Sequence, residues 1–319
     1  MFYDAIIVQI YVLSSKKIDT KLDTEKKEST DMADIVLKND RLCVEIMEPG
    51  REYRGSRYDW TGIVKQVTLE GEHTFFLPEQ IEGMGGRGLV GVYEFRDDTL
   101  YKEAELADRS PLIGVGLLKK PDPDNFCFWR AYDVLPFHRT WSLTEKGVTF
   151  ETFPQLCQGV AIRQTKELIL EDNALVIRQT IRNVGQRAVA LQEFNHNFFC
   201  FDNAPIDKNY VLKLPYKPMV DVRRGRISLG YGDLSLDEMD PGDDTAAFVL
   251  HGYEKLQGSS FALENRAVGL GVSVEEDFDS IRSYNWVCRK AFCPETFCGL
   301  DLEPGEEKTF TRKYTFYKT

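Results

Sequence analysis

A large antiparallel β-sandwich with almost no helix is the fold class this sequence predicts, and three observations carry the prediction. Apolar and polar residues alternate with a period of two along most of the chain, as they do on strands that bury one face. Clusters of Gly, Pro, Asn and Asp break the alternation at short intervals, as turns between antiparallel strands require. Convincing helical stripes are nearly absent; the best, residues 100–108 (LYKEAELAD), suffices for a short helix or a turn. Many strands, few helices and frequent turns define a sandwich rather than an α/β fold.

Taken in chain order, candidate strands fall at 35–37, 41–47, 63–69 and 74–77, then at 111–118 and 127–134, which are rich in Leu, Val, Phe and Trp. Residues 140–143 and the alternating Val148, Phe150 and Thr152 are separated by the turn Glu145-Lys146-Gly147. Residues 160–170 lead through Glu171-Asp172-Asn173 into the clearest alternation of the chain. There Leu175, Ile177, Gln179 and Ile181 share one face, and Val176, Arg178, Thr180 and Arg182 the other. Asn183-Val184-Gly185 turns into a strand at 188–195. Strands at 211–214, 246–251, 268–274, 280–287 and 297–302 follow, and Phe310, Arg312, Tyr314 and Phe316 mark a last one over 309–317. Pro241-Gly242-Asp243-Asp244 and Pro304-Gly305 supply late turns.

The 319 residues suffice for one large β domain, and no internal repeat, low-complexity segment or composition break divides them. Hydrophobic residues make up 42% and charged residues 29%, an ordinary globular balance. Residues 1–31 stand apart: apolar from Phe2 to Leu13, then charged and non-periodic, with neither the basic start nor the cleavage site of a secretory signal. Met32 opens MADIVLKND, a natural domain start. The expected organisation is a disordered or non-native tail over 1–31 and a single domain over 32–319. A formal net charge of −11 argues against nucleic acid or an anionic membrane as partner. No apolar stretch approaches the length of a membrane helix. The seven cysteines are odd in number and lack a CxxC pair, and no His is interleaved at zinc spacing among Cys288, Cys293 and Cys298. They predict free thiols in a reducing, cytoplasmic setting, with no structural metal.

Two segments carry candidate chemistry. Asn195-His196-Asn197-Phe198-Phe199 closes the strand–turn–strand run that ends at Phe194. A histidine at a strand end sits on rigid backbone and titrates near neutral pH. His196 shares a face with Ala190, Gln192 and Phe194, which suits a cleft floor; the competing reading is a strand-end histidine bonded to backbone. Near the C-terminus, Cys293-Pro294-Glu295-Thr296-Phe297 puts a glutamate just before a strand, where solvation is the common fate of a carboxylate. An imidazole and a carboxylate held at strand edges are the minimal kit for general acid–base chemistry.

These segments resemble the galactose mutarotase-like family, which includes the aldose 1-epimerases. TIRNVGQRAVALQEFNHNFF is similar to the family's paired strands ending in Asn-His-x-(Tyr/Phe)-Phe. PETFCGLDLEPGEEKTFTRKYTFY is similar to its closing segment, and GSRYDWTGIVKQVTLEGEHTFF to its N-terminal sheet region. The likeness runs from about Ala33 to the C-terminus. It implies a supersandwich of two large packed sheets, an active cleft on a concave sheet face, a small-molecule sugar substrate and no cofactor. It also implies His196 as general acid and Glu295 as general base in opening a sugar hemiacetal. The alternatives are a non-catalytic carbohydrate-binding protein on the same fold, or a hexose-phosphate epimerase or isomerase, which would need an arginine cluster at the cleft rim.

The resemblance also directs the choice of binding residues. Arg57, in GSRYDWTG, falls where family members carry a sugar-touching arginine; Arg87, in GMGGRGLVG, and Arg130 are further candidates for sugar hydroxyls. That glycine-rich loop is not a phosphate loop, because no Lys-Ser/Thr follows. Family members carry a second histidine in a His-Gly-Gly-like loop. Here the region reads Gly83-Met84-Gly85-Gly86-Arg87, with His73 the nearest substitute, while His138 and His251 read as structural. Asp202 and Asp207 are candidate hydroxyl contacts. Trp286 is the preferred stacking surface, ahead of Trp60, Trp129 and Trp141.

Overall fold

A computed structural model describes residues 34–78, 85–97, 99–230, 233–236, 245–253 and 258–319. The expected tail over 1–31, Gly83 and Met84 of the glycine-rich loop, and the turn Pro241-Gly242-Asp243-Asp244 lie outside the described residues. Among the described residues, regular structure is β apart from the helix Thr99–Glu103, which overlaps the expected window 100–108, and one 3₁₀ turn, Phe201–Asn203.

The strands form two ten-stranded antiparallel sheets and a small three-stranded one. The first sheet runs Ile35–Lys38, Leu42–Ile46, Val64–Leu69, Leu89–Phe95, Val189–Asn197, Ala291–Leu302, Ser280–Cys288, Thr245–His251 and Met219–Arg224, with His73–Thr74 appended to Val64–Leu69. The second runs Ile227–Leu229, Asp233–Leu236, Tyr210–Lys213, Ser259–Asn265, Leu270–Glu276, Glu307–Lys318, Ala174–Asn183, Ile162–Glu171, Gly147–Phe153 and His138–Leu143. The third joins Arg109–Leu112, Gly116–Lys119 and Val134–Pro136.

Alternation explains how the two large sheets meet. Leu175, Ile177, Gln179 and Ile181 are all buried, while Arg178 and Arg182 on the opposite face are exposed. Val44, Phe248 and Leu250 of the first sheet join Leu168, Leu175 and Phe316 of the second in one core. Each such side chain contributes about 1.5–3 kcal/mol on full burial. A second cluster covers the outer face of the first sheet: Val92, Phe194 and Phe297 from strands and Phe198 just past the end of one, with Tyr58 and Trp60 from a loop folded over them. That outer layer frames the site.

The structure adds strands that the sequence did not lead us to expect, Leu89–Phe95, Met219–Arg224, Ile227–Leu229, Asp233–Leu236 and Ser259–Asn265, and it also departs from the expected strands. The expected strand 111–118 is a hairpin, Arg109–Leu112 with Gly116–Lys119, turning at Gly114, whose φ is 73°. Most of 127–134 is loop; Phe128 and Trp129 read as strand formers but line a cleft wall. The strand expected at 297–302 begins at Ala291, so Glu295 lies within a twelve-residue strand. Pro294 hid this, since proline is normally excluded from central strands. It is accommodated because the ladder to Val189–Asn197 stops at Glu193↔Cys298. Lastly, Ala174–Asn183 and Val189–Asn197 are not neighbours. Residues 184–188 carry the chain from one sheet to the other, and alternation reports a buried face but not the partner strand.

The glycine-rich loop has a packing explanation at its last position. Gly88 has φ 58°, and a Cβ there would lie 1.7 Å from the Val64 carbonyl oxygen. Only glycine allows the strands beginning at Val64 and Leu89 to come this close.

Candidate functional site

His196 and Glu295 meet on the outer face of the first sheet. His196 is next to last in Val189–Asn197, opposite Val90, and Glu295 sits on the neighbouring strand opposite Tyr284. Their side chains lie at the floor of a cavity of about 440 Å³, with Nε2 of His196 3.4 Å from Oε1 of Glu295. Both are buried. The imidazole stacks on Phe198 at 4.2 Å and 7°, with the edges of Tyr58 and Trp286 at 6.2 and 5.8 Å. These rings fix its plane, and packing of this kind is what holds a reactive group in one geometry.

Arg57 completes the floor. Its Nη2 is 3.4 Å from the same Nε2 of His196, and its guanidinium packs on Tyr58, Trp129 and Phe128 at 4.8, 4.9 and 5.2 Å. A guanidinium only donates, so the Nε2 it faces presents a lone pair, which makes His196 a neutral imidazole. The electrostatics agree. Burial first, and the Arg57 charge second, push the His196 pKa well below its ordinary 6.5. Burial pushes the Glu295 carboxyl well above its ordinary 4.5, against the pull of Arg57. Both shifts favour the uncharged forms, a neutral imidazole beside a carboxyl that keeps its proton to higher pH than usual. Nδ1 of His196 and Oε1 of Glu295 have no hydrogen-bond partner in the protein. Buried polar atoms left so are costly unless something else serves them.

The opposite sheet holds the two strands in register from behind. Asn195 Nδ2 donates to the Tyr314 hydroxyl at 2.8 Å, and that hydroxyl donates to Asn197 Oδ1 at 3.1 Å. Asn197 Nδ2 in turn donates to the Pro294 carbonyl, next to Glu295. Arg312 spans the same two strands, pairing with Glu193 at 2.7 Å and donating to the Thr296 carbonyl at 3.1 Å. It also pairs with Glu276 at 2.8 Å. His196 and Glu295 are thus flanked on their own strands by residues tied to Arg312 and Tyr314.

Of the other residues expected from the sequence, Arg57 and Trp286 line the cavity, and so does Trp129. Arg87 pairs with Glu52 at 3.0 Å, Arg130 pairs with Asp122, and neither lines the cavity. His73 and Asp202 face each other, with Nδ1 of the imidazole 2.7 Å from Oδ2, and both stand outside it. Asp207 accepts from the Asn209 backbone N–H and side-chain amide. Trp60 is buried beneath Arg139, and Trp141 is exposed on an edge strand. Sequence reasoning missed Glu94, Ser56, Phe126, Phe128, Arg224 and Tyr284, all of which line the cavity. Glu94 had a signal: it is the one acid inside the apolar strand Leu89–Phe95, on the same face as Val92. The seven cysteines are free thiols. Among the described residues no group of three or more His, Cys, Asp or Glu is placed to hold a metal ion, and no helix is long and apolar enough to cross a membrane.

Comparison with known proteins separates fold from sequence. No family model and no curated protein matches the chain. Solved structures do match it. A galactose mutarotase related enzyme from Lactobacillus acidophilus superposes with a TM-score of 0.57 at 14% identity, over 90% of this chain and 98% of that one. A galactose mutarotase-like protein from Lactobacillus casei gives 0.56 at 13%, over 89% and 100%. An aldose epimerase homologue from C. elegans gives 0.50 at 12%, over 88% and 97%. The protein therefore has the galactose mutarotase-like fold, an all-β sandwich of two large antiparallel sheets. At these identities the likeness establishes the architecture and leaves the chemistry to the site.

Proposed function

We propose that the protein is an aldose 1-epimerase that interconverts sugar anomers through the open-chain aldehyde. The observation that carries this reading is the His196–Glu295 pair, 3.4 Å apart at the floor of an aromatic-walled cavity. Anomer exchange needs one group to take the proton from the anomeric hydroxyl and another to give a proton to the ring oxygen. Those two oxygens share one carbon, so the acid and base must converge on nearly the same place.

In the proposed first step, Nε2 of His196 takes the anomeric hydroxyl proton while Glu295 gives its proton to the ring oxygen. The bond between the anomeric carbon and the ring oxygen breaks, and the carbonyl forms. After the aldehyde turns over, the reverse transfers close the ring with the other configuration. This starting assignment, with the carboxyl as acid and the imidazole as base, is the reverse of the one the sequence resemblance implies. Burial of the pair favours it, since both members are pushed toward their neutral forms. Trp286 and Tyr284 offer ring faces to the sugar, while Arg57 and Glu94 can donate to and accept from its hydroxyls.

Saturation-transfer NMR of anomer exchange across free aldoses and their 6-phosphates tests the proposal. Exchange well above the buffer rate for at least one sugar is the expected result. Binding without exchange would make the protein a carbohydrate-binding module. Arg224, which lines the same cavity as Arg57, is the feature that recommends including the phosphates.

The pH dependence follows from the shared proton. Activity needs one proton on the pair, so it falls when His196 gains a second one and when Glu295 loses the only one. The His196 shift is downward, which puts the acid limb of kcat/KM below pH 6.5; the Glu295 shift is upward, which puts the alkaline limb above pH 4.5. An acid limb at or above 6.5 in the measured profile would contradict the neutral-imidazole assignment.

A further inference from the structure

The loop between Gly116–Lys119 and Val134–Pro136 is irregular but firmly tied. Arg130 pairs with Asp122, and the Tyr132 hydroxyl accepts from the Cys127 backbone N–H at 2.9 Å. Ser56 Oγ, on the cavity wall, donates to the Arg130 carbonyl at 3.3 Å. Phe126 stacks on Tyr132 at 5.5 Å and 19°, and both meet the edge of Tyr101. Two aromatic residues thus anchor the loop. The other two do not: Phe128 and Trp129 are 39% and 52% exposed, their rings 4.5 Å apart, and both line the cavity. A fixed loop that holds two large rings partly in water at a cavity wall is built to be covered by something.

Their place relative to the acid–base pair says what. Arg57 separates the two: Nη2 faces His196, and the guanidinium face packs on Phe128 and Trp129. Trp286, 5.8 Å from the His196 ring, already offers a ring face beside the reacting pair. Phe128 and Trp129 pack on Arg57 in the same cavity of about 440 Å³, so a single ring seated on that pair leaves part of the cavity unfilled. Aromatic faces combined with a guanidinium suit the C–H face and hydroxyls of a second sugar. Ring opening breaks only the bond between the anomeric carbon and its ring oxygen, so a sugar linked elsewhere on the reacting ring is carried through unchanged.

We propose that Phe128 and Trp129 form an outer subsite for a second sugar ring, so that the preferred substrate is the reducing end of a disaccharide or longer oligosaccharide. This rests on the mutarotase reading of the same cavity. The test compares kcat/KM for anomer exchange of maltose, cellobiose and lactose with that of glucose, using the full chain as wild type and as Trp129→Ala and Phe128→Ala. At least one disaccharide should exceed glucose about fivefold or more, and Trp129→Ala should cut that advantage about 5- to 10-fold through KM, as loss of one stacked ring implies. Disaccharides no better than glucose, or a loss in Trp129→Ala that is equal for both sugar classes, would overturn the subsite. If no sugar is exchanged, the mutarotase reading has failed, and calorimetric binding of the same sugars decides the subsite alone. Disaccharide binding that is tighter than glucose binding and weakened by Trp129→Ala sustains it; binding that ignores the second ring overturns it. Both residues are exposed, so circular dichroism should show both variants folded.

Discussion

Replacing His196 or Glu295 by glutamine is expected to lower kcat for anomer exchange by about 10²–10⁴, with KM changed far less. Glutamine keeps much of the volume and hydrogen-bonding capacity of either side chain but cannot carry a proton through the reaction. Each substitution therefore removes one of the two transfers while leaving the sugar's contacts with Trp286, Arg57 and Glu94 in place. The double variant should be little worse than either single one. Once one transfer is lost the concerted exchange is lost, and the partner has nothing left to do. Stability should change little, because neither group makes a direct bond that holds the strands together; the bonds to Tyr314 and Arg312 run through their neighbours. The measurement is exchange by saturation-transfer NMR beside a urea titration of each variant. Losses that multiply in the double variant, or a single variant retaining more than about a tenth of wild-type kcat, would remove the pair from the chemistry.

Most strands were legible because alternation is a direct record of one-sided burial. Ala174–Asn183 shows it without exception on its inner face, and Glu307–Lys318 buries Phe310, Arg312, Tyr314 and Phe316 as its pattern requires. What alternation cannot record is which strand lies alongside. Ala174–Asn183 and Val189–Asn197 share a turn yet belong to opposite sheets, and both bury their inner faces in the same interior. Residues 127–134 mislead for a related reason. Aromatic composition marks a surface that meets something apolar, and here that surface is a cavity wall rather than a core.

The site was legible only in part. His196 could be placed by its strand and its neighbours of like parity. Glu295 could not, since Pro294 broke the strand pattern around it; only the resemblance drew it forward. His73 and Asp202 show the limit of reading polar residues singly. Each was a candidate to meet a sugar, but they lie 129 residues apart in sequence and serve one another. Phe128 carried no motif, and its place at the cavity follows from the loop path, which only the folded chain supplies.

The largest stability effect is expected at Arg312. Its guanidinium is fully enclosed between the sheets, where it pairs with Glu193 at 2.7 Å and Glu276 at 2.8 Å and donates to the Thr296 carbonyl. Burial opposes its charge, but the two carboxylates outweigh that and hold it protonated. Arg312→Met keeps an unbranched apolar stem and removes the charge, leaving two buried carboxyl groups facing each other. Breaking a buried ion pair from one side costs about 3–5 kcal/mol. The cost should depend on pH with a definite sign. Burial already raises the Glu276 pKa above its ordinary 4.5, and Arg312 is the largest influence pulling it back. Without Arg312 the folded-state pKa rises further, so the variant loses least where the carboxyl is protonated in both folded and unfolded chains. The loss then grows as pH climbs through the raised folded value. Urea titrations at pH 5 and pH 8 should therefore show the larger deficit at pH 8. The triple variant Arg312→Met, Glu193→Gln, Glu276→Gln, which removes all three charges together, should recover part of it and flatten the pH dependence. A deficit below about 1 kcal/mol, or one that does not change with pH, would mean that partners other than Arg312 carry the two carboxylates.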